Sequence, residues 1–398
     1  MLRNLLGMLV LLVLACNSAV AQRATCVAGF NAATGILTID ALSAGSARYL
    51  TKLSLANGTA LALNLDSVVT TTSACYDTAG FDGSILTIPD LSVGSDYYSA
   101  SLKLTTSSAP YQFSIIAGTK NPRLIADSGT RVTQASNPFA TVDSNGVAYL
   151  GYSDRGGTNA TRFQSAADGL SFANATTLTY LNRSVDSRKT LMPDGKTWRL
   201  YQYDLSTKTM TSYSSTDGNS FTADSGTRYT PTTSDASSIG VYDSYVASDN
   251  SLILIYVGDL AGKNNLRMAR STDNGLTFTF LKGNVLGDDD AGGGGNTFID
   301  NKTLLLADGR RRMVTMRANE IHSFISSDGI SYTREPGVRL KTADYAAVGV
   351  SIYSLNDPVM VRTKEGKYRV YVAASTASGA DESAGNSNWA IVSALWSD

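Results

Sequence analysis

Histidine occurs once in this chain of 398 residues, at His322, and cysteine three times. A single imidazole excludes a His-pair metal site and any proton relay that needs two histidines. No cysteine spacing resembles a zinc site. Charge is scarce: 17% of residues are Asp, Glu, Lys or Arg, and the net charge is −1. No basic stripe or acidic block marks a nucleic-acid or polyelectrolyte partner. Glutamate is confined to Glu320, Glu335, Glu365 and Glu382. Long helical periodicity is missing, which leaves the all-β class. Glycine (35), tyrosine (20), serine and threonine are plentiful, and 43% of residues are hydrophobic. A chain of this length allows two or three domains with full cores.

The apolar run Leu5 to Ala15 follows Arg3 and is too short to span a bilayer, so it reads as the core of a secretory signal. Ala19-Val20-Ala21 is a small-x-small cleavage site before Gln22, which gives residues 1–21 as a signal peptide. Val13-Leu14-Ala15-Cys16 reads equally as a bacterial lipoprotein box with Cys16 lipidated. Either reading implies an exported bacterial protein, periplasmic, at the cell surface or secreted, that meets a membrane only through a lipid anchor. Cys26 and Cys75 are then left to pair in an oxidising compartment.

Residues 22–118 contain a duplication. ILTIDALSAGSARYLTKLSL from Ile36 matches ILTIPDLSVGSDYYSASLKL from Ile85 at an offset of 49, and Cys26 and Cys75 share that offset. The alternation predicts short half-buried strands. No cluster of polar or aromatic residues here demands a ligand, so this segment reads as an accessory β-module.

Residues 119–398 hold a second repeat. DNKTLLLADGRRRMVTM, from Asp300, is an apolar run, an Asp-Gly turn and a second strand-like run, the pattern of a β-hairpin. It recurs from Asp357, Asp243, Asp186 and Asn137, with leading positions spaced 49, 57, 57 and 57 residues apart. A period near 50 in strand-rich sequence predicts a radial β repeat, a five-bladed propeller. The chain ends on IVSALWSD, which aligns with HSFISSD and stops short of an outermost strand. ADSGTR at Ala126–Arg131 is identical to ADSGTR at Ala223–Arg228, which reads as an outer strand. Residues near 122–133 are therefore expected to complete the last blade, a closure that removes two exposed sheet edges.

In a propeller the innermost strands begin near the axis, so the repeat places Asn137, Asp186, Asp243, Asp300 and Asp357 around one channel mouth. Converging carboxylates perturb one another's pKa values, which suits acid/base chemistry or a cation; alternatively each Asp caps its own strand. Loops between second and third strands open on the same face. They carry Tyr152, Asp154 and Arg155, then Asp204, Asp259 with Lys263, Arg317 with Glu320, and Asp381 with Glu382. Glu320, alone over the ring in a short loop, is the candidate for a general acid of raised pKa; paired with Arg317 it is a surface ion pair. GDDDAGGGGN, Gly287 to Asn296, has the composition of a Ca²⁺ loop without the ligand spacing of an EF-hand, and also reads as a solvated connector. No other cofactor is expected. His322 falls in a strand, where a lone histidine reads as packed.

STDNGLTF (Ser271 to Phe278), AADGLSF at Asp168, STDGNSF at Asp217 and SSDGISY at Asp328 resemble the Asp-boxes, or BNR repeats, of sialidases. There the Asp accepts backbone N–H groups, the Gly takes positive φ and the aromatic packs under the turn, a structural role only. Residues 119–398 as a whole resemble the five-bladed propellers of family-43-like glycoside hydrolases, most visibly in DPVMVRTKEGKYRVYV and DGKTWRLYQY. That resemblance implies a glycan over the central channel, with an Asp base in the first blade, an orienting Asp in the second and a Glu acid in the third. The first position falls on Asn137, which is no base; the second on Asp186; the third near Asp243, an Asp in place of Glu. Asp186, Asp243, Asp300 and Glu320 are thus the catalytic candidates. Asn137, Tyr152, Asp154, Arg155, Arg188, Arg317 and Asp357 are the substrate-binding candidates; the three arginines can approach the axis, but the sequence shows no sialidase Arg triad with its Tyr nucleophile. Two functions follow: an exported glycoside hydrolase, or a non-catalytic surface propeller that binds glycan or protein.

Overall fold

A computed structural model describes residues 25–56, 62–72, 75, 77–156, 160–177, 189–218, 220–232, 238–258, 265–287, 297–379 and 388–397. Residues 1–21 with Cys16, Asp186, Arg188, Asp259, Lys263, Asp381, Glu382 and nearly all of the Gly287–Asn296 stretch lie outside the described residues. Among the described residues no helix is long and apolar enough to cross a membrane.

From Ala28 to Lys120 the described residues form one eight-stranded sheet. The duplicated strands Ile36–Ala44 and Ile85–Val93 bury alternate side chains, Leu37 and Ile39 in one, Leu86 and Ile88 in the other. Each breaks register at the same point, between Ile39 and Leu42 and between Ile88 and Leu91. The two copies exchange strands: Ala28–Asn31 of the first pairs with Ile85–Val93, and Ala79–Phe81 of the second pairs with Ile36–Ala44. This reciprocal pairing closes the sheet on itself and brings equivalent positions together at the junction of the copies. Cys26 and Cys75 are such positions; they form a disulfide with Cα atoms 5.3 Å apart.

The rest of the described chain makes five antiparallel sheets, the blades of a propeller. Their innermost strands are Ala135–Val142, Lys189–Leu191, Ile239–Val246, Ile299–Leu305 and Ser354–Arg362, for blades 1 to 5. The last blade closes as the repeated ADSGTR predicts. Arg123–Ala126 and Val132–Thr133 both pair with the final strand, Trp389–Ser397. The two ADSGTR copies fold alike: Arg131 donates to the carbonyls of Ser128 and Gly129, and Arg228 to those of Ser225 and Gly226. Their aspartates accept from the neighbouring strand, Asp127 from Ser393 and Asp224 from Ser212, each at 2.6 Å.

Buried apolar clusters lie between blades. Met192, Tyr201 and Leu254 join blades 2 and 3; Ile253, Met313 and Phe324 join blades 3 and 4. Val314, Met360 and Val392 join blades 4 and 5, and Leu150, Val359 and Tyr371 join blades 5 and 1. Burial of this kind contributes roughly 25 cal/mol per Å² of apolar surface and sets the radial arrangement of the strands.

Candidate functional site at the channel mouth

The innermost strands of blades 1, 4 and 5 slip register at one place, between Ser136 and Phe139, Ile299 and Lys302, and Asn356 and Val359. At these bulges Asn137, Asp300 and Asp357 are left-handed, with φ of 48°, 55° and 46°. Asn and Asp adopt this conformation more readily than other L-residues, and a bulge re-aims the side chain that it carries. In blade 3 the slip falls between Ile239 and Tyr242, so Gly240 and Val241 occupy it, and neither is left-handed.

Asp243 is thereby displaced from the ring where its spacing put it. It is fully buried, and its Oδ2 accepts the Thr303 N–H at 2.7 Å and the Thr303 hydroxyl at 2.8 Å. It clasps the inner strands of blades 3 and 4. The 57-residue spacing misleads because it counts outer connectors as well as the inner strand. The hairpin turn is the better ruler: Asn137, Asp300 and Asp357 lie six residues ahead of their turns at Asp143, Leu306 and Thr363, whereas Asp243 lies four ahead of Ala247.

Three predicted residues are brought together at the mouth. Arg155 donates from Nη2 to Asn137 Oδ1 at 2.8 Å and from Nε to Ser136 Oγ at 2.6 Å. Asn137 Nδ2 donates to Asp357 Oδ2 at 3.1 Å. A guanidinium can only donate, so it fixes the amide with its oxygen towards Arg155 and its nitrogen towards Asp357. This chain links blade 1 to blade 5, and Asp300 is the equivalent residue of blade 4. Tyr152, by contrast, packs with Leu150, Val359 and Tyr371 in the core rather than at the mouth. Asp154 serves its own blade, accepting the Gly156 N–H at 2.8 Å and pairing with Arg162 at 3.2 Å.

Glu320 is neither exposed nor proton-loaded. The turn Ala318-Asn319, both left-handed, opposes it to Arg317 on the neighbouring strand. Thr25, just ahead of the N-terminal sheet, covers it: Thr25 Oγ1 donates to Oε2 at 2.7 Å, and Lys341 Nζ stands 3.5 Å from Oε1. Burial alone would raise its pKa, but the facing His322 ring, the bonds from Thr25 and the Lys341 charge outweigh it and hold Glu320 at about 2. The raised-pKa acid expected here is therefore corrected to an ionised, covered carboxylate. Arg317 is also buried, its guanidinium 4.1 Å over the Phe298 ring.

Behind Glu320 lies a cluster that sequence reasoning missed. His322 is fully buried; its Nδ1 accepts from Arg334 at 3.0 Å, so its proton sits on Nε2, which faces Glu320 Oε2 at 3.6 Å. Burial, with the Arg334 and Arg317 charges, pushes its pKa down to about 3 against the pull of Glu320. Arg334 in turn pairs with Asp77 of the N-terminal module, whose pKa burial raises despite that partner. Thr25 is next to Cys26 and Asp77 two residues beyond Cys75, the only hint of this docking that the sequence offers.

The face opposite the mouth carries the Asp-Gly turns. Asp168 accepts the N–H groups of Leu170 and Ser171, both at 2.8 Å, and Asp328 those of Ile330 and Ser331, at 2.8 and 2.7 Å. Asp273 accepts from Leu276 and Thr277, and Asp217 from Ser220. Gly169, Gly218, Gly275 and Gly329 all have φ between 65° and 78°. These backbone bonds hold Asp168 at about 2. Partial burial opposes them at Asp273 and Asp328, and the bonds still prevail, again to about 2.

No family model and no curated protein matches this sequence. Solved structures do. A thermostable family-43 glycoside hydrolase superposes with a TM-score of 0.50 at 9% identity, over 68% of this chain and 92% of that one. An α-L-arabinofuranosidase from Podospora anserina, in complex with cellotriose, gives 0.49 at 10% identity over 70% and 97%. One from Lactobacillus brevis gives 0.49 at 11% over 67% and 92%. Identities this low speak for the fold alone, a five-bladed propeller.

Proposed function

We propose that this chain is an exported carbohydrate-active propeller that takes a glycan over the channel mouth. One observation carries the reading: three inner strands break at the same bulge to present Asn137, Asp300 and Asp357 in a left-handed conformation. Strained polar residues repeated at one point of a scaffold favour a site over a capping role. The fold, shared with a family-43 glycoside hydrolase, supports the same substrate class by analogy only.

Of binding and cleavage, the geometry favours binding. A glycosidase needs an acid and a second carboxylate about 5–5.5 Å or 6.5–9.5 Å apart. Among the described residues, the first-blade position is an amide, the third-blade position is Gly240-Val241, and Glu320 is covered and ionised. Asn137 and Arg155 instead offer directed polar groups suited to sugar hydroxyls. Hydrolysis is the second reading, favoured by Asp300 and Asp357 standing at equivalent bulges.

The Asp168, Asp217, Asp273 and Asp328 turns fit the Asp-box reading, since each Asp is satisfied within its own turn. Export is supported by the Cys26–Cys75 disulfide, a bond that persists outside reducing compartments. The deciding experiment presents the protein with a panel of aryl glycosides and natural glycans, alongside Asp300→Asn and Asp357→Asn. Binding without turnover is expected. Turnover abolished by either substitution would establish the hydrolase instead, and neither binding nor turnover on any glycan would end the carbohydrate reading.

A further inference from the structure

The junction of blades 1 and 2 is built unlike its neighbours. At three other junctions a tyrosine of one blade donates to the glycine carbonyl in the next blade's Asp-Gly turn. Tyr371 reaches Gly169 at 2.8 Å, Tyr201 reaches Gly275 at 3.1 Å and Tyr245 reaches Gly329 at 2.9 Å. Counted from its hairpin turn, the blade 1 position matching Tyr201 and Tyr371 is Gly151, and the Phe139 ring lies so close above it that even a Cβ would clash. No tyrosine can reach Gly218 from there. Its carbonyl is taken instead by Lys189 Nζ of its own blade, at 3.1 Å.

Where the other junctions hold a buried apolar cluster, the described residues of this one line a cavity of about 860 Å³ that extends to Leu304 on the inner strand of blade 4 and to Met360 and Val361 on that of blade 5. It opens among the hairpin turns, on the face opposite the mouth. One wall is the stacked pair Tyr149 and Phe163 of blade 1, ring centroids 5.5 Å apart. The other is Trp198 of blade 2, lying flush on Gly218 with Lys189 Nζ 5.3 Å from its ring centroid. Arg362 of blade 5 stands at the rim.

The lining also contains two carboxylates. Asp143 is engaged by the N–H groups of Asn145 and Val147 and by the Tyr149 hydroxyl. Asp217 is engaged by Ser215 and Ser220. The acids thus belong to turns, whereas among the described residues no ion pair engages Lys189 or Arg362.

We propose that this cavity is a second saccharide site, one that takes an acidic sugar. Aromatic faces on two walls suit the C–H faces of a pyranose ring. The two cations, neither paired with an acid among the described residues, suit its carboxylate or sulfate. The site stands on residues separate from the mouth, so it holds or fails independently of the function proposed above.

Isothermal titration of the full chain with trigalacturonate, a sulfated disaccharide and neutral trigalactose tests it, the first two separating carboxylate from sulfate. At least one acidic probe is expected to bind more tightly than the neutral one. Arg362→Ala, at an exposed position, and Lys189→Met should each weaken that binding by about tenfold, and Trp198→Ala should remove it. Arg155→Ala at the mouth should leave it unchanged. Equal affinity for acidic and neutral probes, affinity unmoved by Arg362→Ala and Lys189→Met, or no binding of either acidic probe by the folded protein would overturn the proposal.

Discussion

On the face opposite the mouth, Asp168, Asp217, Asp273 and Asp328 accept N–H groups a few residues along their own chain. At the mouth, Asn137 and Asp357 meet across 220 residues, from blades 1 and 5. Both sets recur blade by blade, yet the first is satisfied inside each turn and the second only by the closed ring. A carboxylate saturated by its own turn can be removed without disturbing a distant one, and it has nothing left for a ligand. A polar group held by another blade is placed by the whole fold, and a sugar hydroxyl can compete for its bonds. That difference separates scaffold from site.

Asp243 gives the hardest test of this division: its bonds cross to Thr303 of the next blade, as bonds do at the mouth, but it is fully buried, so they clasp two blades and leave a ligand no access. Asp243→Ala strands the Thr303 donors inside the protein and should cost about 3 kcal/mol in urea unfolding. Glycan affinity of the remaining folded fraction should not change. Arg155→Ala should do the reverse: binding about ten- to a hundredfold weaker by titration, with little loss of stability, since one guanidinium orients both Ser136 and Asn137. Asp273→Ala, on the opposite face, should cost about 1 kcal/mol and leave binding untouched.

The remaining effect is an acid slope set by the covered cluster at blade 4. His322 has a folded pKa of about 3 against its usual 6.5, so the unfolded chain binds the extra proton first and stability falls as pH drops below about 6.5. Glu320, depressed to about 2 from 4.5, adds to the loss only below about 4.5. The raised pKa of Asp77 works the other way, favouring the folded state on acidification. Urea midpoints between pH 6.5 and 5 therefore isolate His322, and His322→Gln should flatten that part of the slope. An unchanged slope would mean that the imidazole is not buried neutral.

Much of the architecture was legible because it is written in short segments. The five hairpins, the identical ADSGTR copies that close the ring and the shared offset of Cys26 and Cys75 all survive in the structure. The site was legible in part. Asn137 and Asp357, which the repeat phase groups, meet with the loop residue Arg155, but Asp243 stands apart, because equal spacing along the chain does not guarantee equal register within a blade. Glu320 was misjudged for a different reason. Its environment is set by Thr25 from the N-terminal module, 295 residues away, and docking of one module on another leaves no periodic mark. Tyr152 failed likewise, since an aromatic near a loop end reads the same in sequence whether it faces the channel or the neighbouring blade.

The most direct test of the central claim is a glycan titration of the protein and of Arg155→Ala and Asp273→Ala, using whichever glycan the panel identifies and matching folded fractions. The account predicts that affinity falls with Arg155→Ala and holds with Asp273→Ala. Equal affinity in all three proteins, or loss with Asp273→Ala alone, would contradict a glycan site at the channel mouth.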